Sequence, residues 1–262
     1  MVEIKNVTKV FAPGTVNEKT ALKDISLTVN DGEVISIIGS NGSGKTTLFN
    51  MIAGTFPVTS GTITINGKDV TRDPEYKRAF FIGRIFQDPL KGTSGNMSIE
   101  DNLNLAYRKG MRGLTYSLTK ERKKFFQSLL EPIGLQDRMK ENVGLLSGGQ
   151  RQALTLLMAT LSKPALMLLD EHTAALDPRN AEIVMDLTKE YIERDSLTAI
   201  MVTHNMQTAI DYGTRLIMMD EGKIILDVSG KEKQELTVHG LVDQFRKLRN
   251  KDFTSDKGLL TD

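Results

Sequence analysis

Val34-Ile35-Ser36-Ile37-Ile38-Gly39-Ser40-Asn41-Gly42-Ser43-Gly44-Lys45-Thr46-Thr47 decides how this chain folds. Val34 to Ile38 is a short, almost continuous apolar run, which suits a strand covered on both faces in a parallel sheet. From Lys45 to Ala53 the spacing is helical, with Leu48, Phe49 and Ile52 on one face and Gly54 placed to end the helix. Between strand and helix, Gly39 to Thr46 matches G-x-x-x-x-G-K-[ST], in the setting that the motif requires. Glycines let successive backbone N–H groups curl around an anion, and a helix N-terminus adds partial positive charge. Lys45 supplies a point charge for β- and γ-phosphates, and the Thr46 hydroxyl can ligand a divalent cation. At average residue frequencies the pattern arises by chance in about one chain of this length per hundred.

Working outward, Ile25, Leu27 and Val29 alternate with Ser26, Thr28 and Asn30, the period of a half-buried strand. Ile63 and Ile65 alternate with Thr62 and Thr64, and Asn66-Gly67 predicts a hairpin turn. From about Gln87 to Ala159 the pattern turns helical. Ser98 opens a capping box there. Thr119 is placed to cap a helix carrying Phe125, Phe126, Leu129 and Leu130, whose basic group Lys120, Arg122, Lys123 and Lys124 reads as a solvated face. The β/α alternation then resumes. Leu166 to Leu169 is a buried strand. Asp177-Pro178 starts a helix with Ile183, Val184, Leu187 and Tyr191 expected inward. Thr198 to Val202 is another strand, and Leu216 to Leu226 reads as a hairpin turning at Glu221-Gly222. Val238, Leu241, Val242, Phe245 and Leu248 fall at helical spacing, a helix expected to pack on the chain's own core.

Composition narrows the function. The 262 residues carry 34 Lys and Arg against 33 Asp and Glu, a net charge of +1. Bulk charge therefore does not draw this chain to nucleic acid. With no cysteine there is no disulfide scaffold and no thiolate chemistry. The most apolar stretch, Ala153 to Leu169, is broken by Ser162, Lys163 and Pro164 and is too interrupted to span a bilayer. The N-terminus lacks a secretory pattern. A soluble, cytoplasmic chain is expected, with any membrane role supplied by a partner.

Two further motifs add to the phosphate loop. Leu146-Ser147-Gly148-Gly149-Gln150 precedes an apolar helix. Ala165-Leu166-Met167-Leu168-Leu169-Asp170-Glu171 is an apolar strand ending in two carboxylates. With these the chain, from about Val2 to Asp227, resembles the ATP-binding cassette ATPases that power ABC transporters. The resemblance implies an α/β fold: a P-loop NTPase (RecA-like) core with an N-terminal antiparallel β subdomain and an inserted α-helical subdomain. Residues 1–250 would form one ATPase domain, with core and β subdomain at about 1–87 and 156–235 and the helical subdomain at about 88–155. Residues 236–262 would be a C-terminal helix and tail.

The resemblance also assigns roles. ATP would be held by Gly39, Ser40, Asn41, Gly42, Ser43, Gly44, Lys45, Thr46 and Thr47, with Phe11 stacking on adenine where the family usually has Tyr. Gln87 matches the glutamine that touches Mg²⁺ or water, and Asp170 the aspartate that orders Mg²⁺ together with Thr46. Glu171 matches the glutamate that activates water, and His204 a histidine that contacts the γ-phosphate; with Lys45 they form the catalytic set. Ser147, Gly148, Gly149 and Gln150 would close the site of a second copy across a head-to-tail dimer, whose interface Asp177 would line. A separate membrane permease, and for an importer an extracytoplasmic solute-binding protein, are the implied partners, on the cytoplasmic side of the membrane. Import of small, amino-acid-like solutes is the expectation; a soluble assembly ATPase or an exporter is the alternative. One residue departs from the family: His172 stands where Pro usually follows the glutamate, and it reads as a tolerated substitution.

Overall fold

The computed structural model describes residues 1–107 and 118–247. β1 (Val2–Phe11) and β2 (Lys19–Val29) pair antiparallel, Ile4 opposite Leu27. Their alternating apolar residues bury one face, as the period-2 pattern requires. β3 (Val34–Gly39) runs straight into the glycine loop and α1 (Lys45–Ala53), which ends at Gly54 with φ 85°. That left-handed cap is what glycine supplies at a helix end. β4 (Ser60–Ile65) and β5 (Lys68–Asp69) form the expected hairpin at Asn66-Gly67 and complete a four-stranded antiparallel sheet, β2-β1-β4-β5.

After α2 (Glu75–Arg78) and β6 (Ile82–Ile85) come the helices α3 (Ile99–Tyr107), α4 (Lys120–Leu130) and α5 (Gly148–Thr160). Thr119 caps α4 by accepting from the Arg122 N–H, a contact of the kind that costs about 1 kcal/mol to remove. β7 (Leu166–Asp170), α6 (Pro178–Arg194), β8 (Ala199–Val202), α7 (Met206–Tyr212), β9 (Arg215–Asp220), β10 (Lys223–Ser229) and α8 (Gly230–Gln234) follow. The second sheet has the order β10-β9-β3-β8-β7-β6, parallel throughout except β10. Its central strands are buried on both faces, which is why they read as unbroken apolar runs.

One core lies between the four-stranded sheet, α1 and one face of the parallel sheet. A second joins the other face to α3, α4, α5 and α6. Two sequence expectations change here. On α6, Ile183 is 48% exposed, while Met185 and Thr188 join Val184 and Tyr191 in the interior. On α4, Phe126 and Leu130 are buried but Phe125 is 42% exposed. On α6 the buried stripe is rotated from the one the apolar residues suggested, and on α4 it is narrower. Residues 238–247 are helical and seat Leu241 against Ile38, Leu216 and Met218. Leu248 and the tail after it lie outside the described residues. No helix among the described residues is long and apolar enough to cross a membrane.

Candidate functional site

β3, β8, β7 and β6 lie side by side and parallel, so the residues after their C-terminal ends emerge along one edge. Those residues are the phosphate loop, Thr203-His204, Asp170-Glu171 and Phe86-Gln87. Open α/β sheets bind ligands along this edge. A cavity of about 260 Å³ opens there, lined by Phe11, Lys19, Ala21, Asn41, Gly42, Ser43, Gly44, Lys45, Thr46, Thr47, Glu171 and His204.

The loop is fixed from beneath. Gly39 lies so close to β9 that a Cβ would stand 2.1 Å from the Met219 carbonyl oxygen, which only glycine permits. Ser40 Oγ donates to Asp220 Oδ1 at 2.9 Å, and the Gly222 N–H donates to the Ser43 carbonyl at 3.0 Å. Gly44 is the N-cap of α1 at φ 104° and carries no side chain to cap it. The first N–H groups of α1 therefore meet no side-chain acceptor from their own cap, the arrangement that receives anions. Lys45 Nζ donates to the carbonyls of Gly39 and Ser40 at 2.8 and 2.9 Å. Burial pushes the ammonium below the usual lysine range, and the Glu171 carboxylate opposes that. Phe11 meets Phe56 edge to face at 5.5 Å, with Lys9 Nζ 5.0 Å from its ring centre.

Opposite the loop, His204 Nε2 lies 2.6 Å from Glu171 Oε1. Glu171 has φ 47°, a left-handed conformation that costs a non-glycine residue about 1 kcal/mol or more. Its backbone is tied at both ends: its N–H donates to the Val202 carbonyl at 3.0 Å, and its carbonyl accepts from the Ala174 N–H at 2.9 Å. Asp170, half-buried at the end of β7, does not line the cavity. Burial pushes its carboxyl up; Arg84 pulls it down, Glu171 pushes it up, and Lys91 pulls it down. Gln87 is exposed, just past β6. The structure thus gathers Phe11, Asn41 to Thr47, Glu171 and His204 round one cavity. Gly39 and Ser40 lie in its supporting layer, and Asp170 and Gln87 lie beside it on the same sheet edge.

The second glycine-rich motif, Leu146 to Gln150, the signature, stands elsewhere. Ser147 is the N-cap of α5; its Oγ accepts from the Gln150 N–H, and Gln150 Oε1 accepts from the Ser147 N–H, each at 3.3 Å. None of Ser147, Gly148, Gly149 and Gln150 lines the cavity. A Cβ on Gly148 would lie 3.3 Å from Leu176 Cδ2, and one on Gly149 2.8 Å from the Asn180 side chain. The signature turn therefore rests on the start of α6, where Asp177 caps the helix by accepting from the Asn180 N–H.

His172 turns away from the cavity. Its ring is buried, with Nε2 3.1 Å from Thr188 Oγ1 on α6, and burial pulls its pKa down to about 4. Sequence reasoning missed Lys19 and Ala21 as lining residues, the Asp220 anchor of Ser40, and Arg84, whose charge acts on Asp170. Lys19 ends an irregular loop that no periodicity aligns. Asp220 looks like an ordinary hairpin residue until β9 is placed beside β3.

An uncapped helix start behind a glycine loop, faced by a carboxylate and an imidazole, defines a P-loop nucleotide triphosphatase. A family model described as "ABC transporter" matches residues 22–174, so the chain belongs to the ABC transporter family. It is an ATP-binding and ATP-hydrolysing subunit of that family. A tyrosine transport ATP-binding protein of Clostridioides difficile is 42% identical over 247 residues, 94% of this chain and 98% of that one. A methionine import ATP-binding protein of Corynebacterium efficiens is 35% identical over 86% of this chain, which spans 61% of that relative's length. Among solved structures, a dimeric ATP-binding cassette in a post-hydrolysis state bound to ADP and Pi shares 30% identity. It covers 87% of this chain and 98% of its own, with a TM-score of 0.72.

Proposed function

We propose that this subunit powers the import of amino-acid-like solutes, working as a head-to-tail pair beneath a separate membrane permease. The observation that carries the chemistry is the convergence of Lys45, Thr46, Glu171 and His204 on one cavity. The loop amides and the Lys45 ammonium bind the triphosphate tail. Glu171 accepts a hydrogen bond from water and aims it at the γ-phosphorus. His204, whose Nε2 lies 2.6 Å from Glu171 Oε1, steadies that carboxylate and reaches a γ-phosphate oxygen. Phe11 stacks on the adenine. Ser147 and the amides of Gly148 and Gly149, held at the head of α5 with Gln150, close the far side of the partner's site.

The residues fit Mg²⁺. Among the described residues no group of three or more His, Cys, Asp or Glu side chains could hold a metal ion. The donors available are the exposed Thr46 hydroxyl, the Asp170 carboxylate and Gln87, a sparse oxygen set of the kind Mg²⁺ shares with phosphate and water. When bound, the ion would neutralise charge on the β- and γ-phosphates.

The import reading is supported by relatives whose names say tyrosine transport, methionine import and spermidine/putrescine import; assembly or export gains no such support. The helical segment at about 88–155 supplies the docking face for the permease, which holds the subunit at the cytoplasmic side of the membrane, and a solute-binding protein delivers the cargo. Co-expression with a candidate multi-span permease from the same genome, followed by reconstitution in vesicles, tests this. ATP-dependent uptake of tyrosine or another amino acid is expected, abolished by Glu171→Gln. A chain that fails to co-purify with that protein, or vesicles that take up no amino acid, would overturn the import reading.

A further inference from the structure

We propose that His172 is a positioning residue for ATP hydrolysis: its bond to Thr188 holds the Glu171 backbone against α6. The inference rests on the reading of Glu171 as the group that orients water.

Glu171 occupies a left-handed conformation, so something must hold it there. A proline at the next position would constrain the turn through its own ring. This chain has histidine there, and to the two main-chain bonds of Glu171 its side chain adds a third restraint, directed to α6. That side chain is 2% exposed and reaches Thr188 at 3.1 Å. Thr188 has one hydroxyl hydrogen, and it points to the Val184 carbonyl at 2.7 Å. Towards the ring Thr188 can therefore only accept, so the His172 hydrogen sits on Nε2. The chain of bonds runs from the ring to the Thr188 hydroxyl and on to the α6 backbone. α6 is 17 residues long and is capped by Asp177 at its start. Glu171 is thus fastened on two sides: to β8 through Val202, and to α6 through its neighbour's ring. A carboxylate that must meet a water and a phosphorus within a few tenths of an ångström gains rate from such fastening.

The test uses the full-length chain with Mg-ATP and separates positioning from stability. His172→Leu keeps most of the volume and loses the donor. Thr188→Val leaves a buried ring N–H without an acceptor, which destabilises. The double variant replaces both polar groups with apolar atoms, so its unfolding midpoint should return towards wild type. If His172 positions Glu171, kcat falls about tenfold in all three variants while KM for ATP stays within about twofold. Thr188→Ser, which keeps the acceptor, and His172→Gln, which restores an amide donor, should each recover at least about half of kcat. If the double variant recovers kcat along with its stability, the bond is structural only and the inference fails. Should His172→Leu not fold, Thr188→Val against Thr188→Ser reads the same bond from its other end, and equal kcat in those two overturns it. Glu171→Gln is measured alongside. If it hydrolyses ATP as fast as wild type, the reading of Glu171 fails. If it is dead while the double variant is fully active, only the role of His172 falls.

Discussion

Two glycine-rich turns each lead into a helix, and they differ in who satisfies the helix start. At α1 the cap is Gly44, which brings no side-chain acceptor, and a lysine follows it into a cavity shared with Glu171 and His204. At α5 the cap is Ser147, whose hydroxyl accepts from the Gln150 backbone N–H while the Gln150 side-chain oxygen accepts from the Ser147 N–H, a capping box. Both bonds of that box are 3.3 Å long, beyond the usual range for a strong hydrogen bond. The first turn brings a charge and a wall of chemistry from its own chain. The second offers a hydroxyl held loosely to its own helix. The two turns do not meet within one chain, and on the proposed function each is half of a site that a second copy completes.

The largest effect expected tests that pairing. Lys45→Ala and Ser147→Arg should each lower ATPase activity by about a hundredfold or more, the first by removing phosphate charge and the second by obstructing the partner's site. Mixed in equal amounts, the two variants should recover up to about a quarter of wild-type activity. Half of the pairs are then mixed, and each mixed pair keeps one intact site out of two. No recovery on mixing would mean that the two turns do not serve each other across an interface. An undiminished Ser147→Arg variant would break the comparison outright.

A middle-sized effect separates the turns by stability. At Gly39 an added methyl group meets a main-chain carbonyl of β9 at 2.1 Å; at Gly149 it meets the Asn180 side chain at 2.8 Å. A strand in the middle of a sheet cannot retreat, whereas a side-chain amide can turn. Gly39→Ala should cost about 1–3 kcal/mol, seen as a melting temperature several degrees lower. Gly149→Ala should cost much less, because alanine favours the helix it would join. Equal losses in thermal denaturation would show that both turns are built with the same rigidity.

What the sequence revealed of these regions followed from local rules. The strand-loop-helix at Val34 to Ala53, the Thr119 and Asp177 caps and the Glu221-Gly222 hairpin turn each depend on a few consecutive residues, and each stands where expected. The convergence of Glu171 and His204 needed the order of β7, β8 and β3 in the sheet, which no local pattern encodes; family resemblance stood in for it. Helical spacing of apolar residues points Ile183 inward, whereas the buried stripe runs through Val184, Met185 and Thr188. The same rotation of the stripe carries Thr188 into the interior. A threonine on the buried face of a helix looks like a packing residue until the ring of His172 is set against it.

The smallest effect expected concerns the helix that both regions touch. The signature glycines rest on the start of α6, and His172, next to Glu171, is bonded to its middle. Burial holds that ring's pKa at about 4 in the folded protein, against an ordinary value of 6.5. Above pH 6.5 the ring is neutral in both states and contributes no pH dependence. Between pH 6.5 and 4 the unfolded chain takes up a proton that the folded chain refuses, so stability falls as pH falls through that window. Below pH 4 both states carry the proton and the loss is complete. The urea midpoint of the wild type should therefore drop further between pH 7.5 and 5 than that of His172→Gln, which has nothing to titrate at this position. All other titrating groups are common to the two proteins and cancel in the difference. Parallel pH profiles would mean that the ring reaches solvent, and that the contact between the Glu171 turn and α6 is looser than the link between the two regions requires.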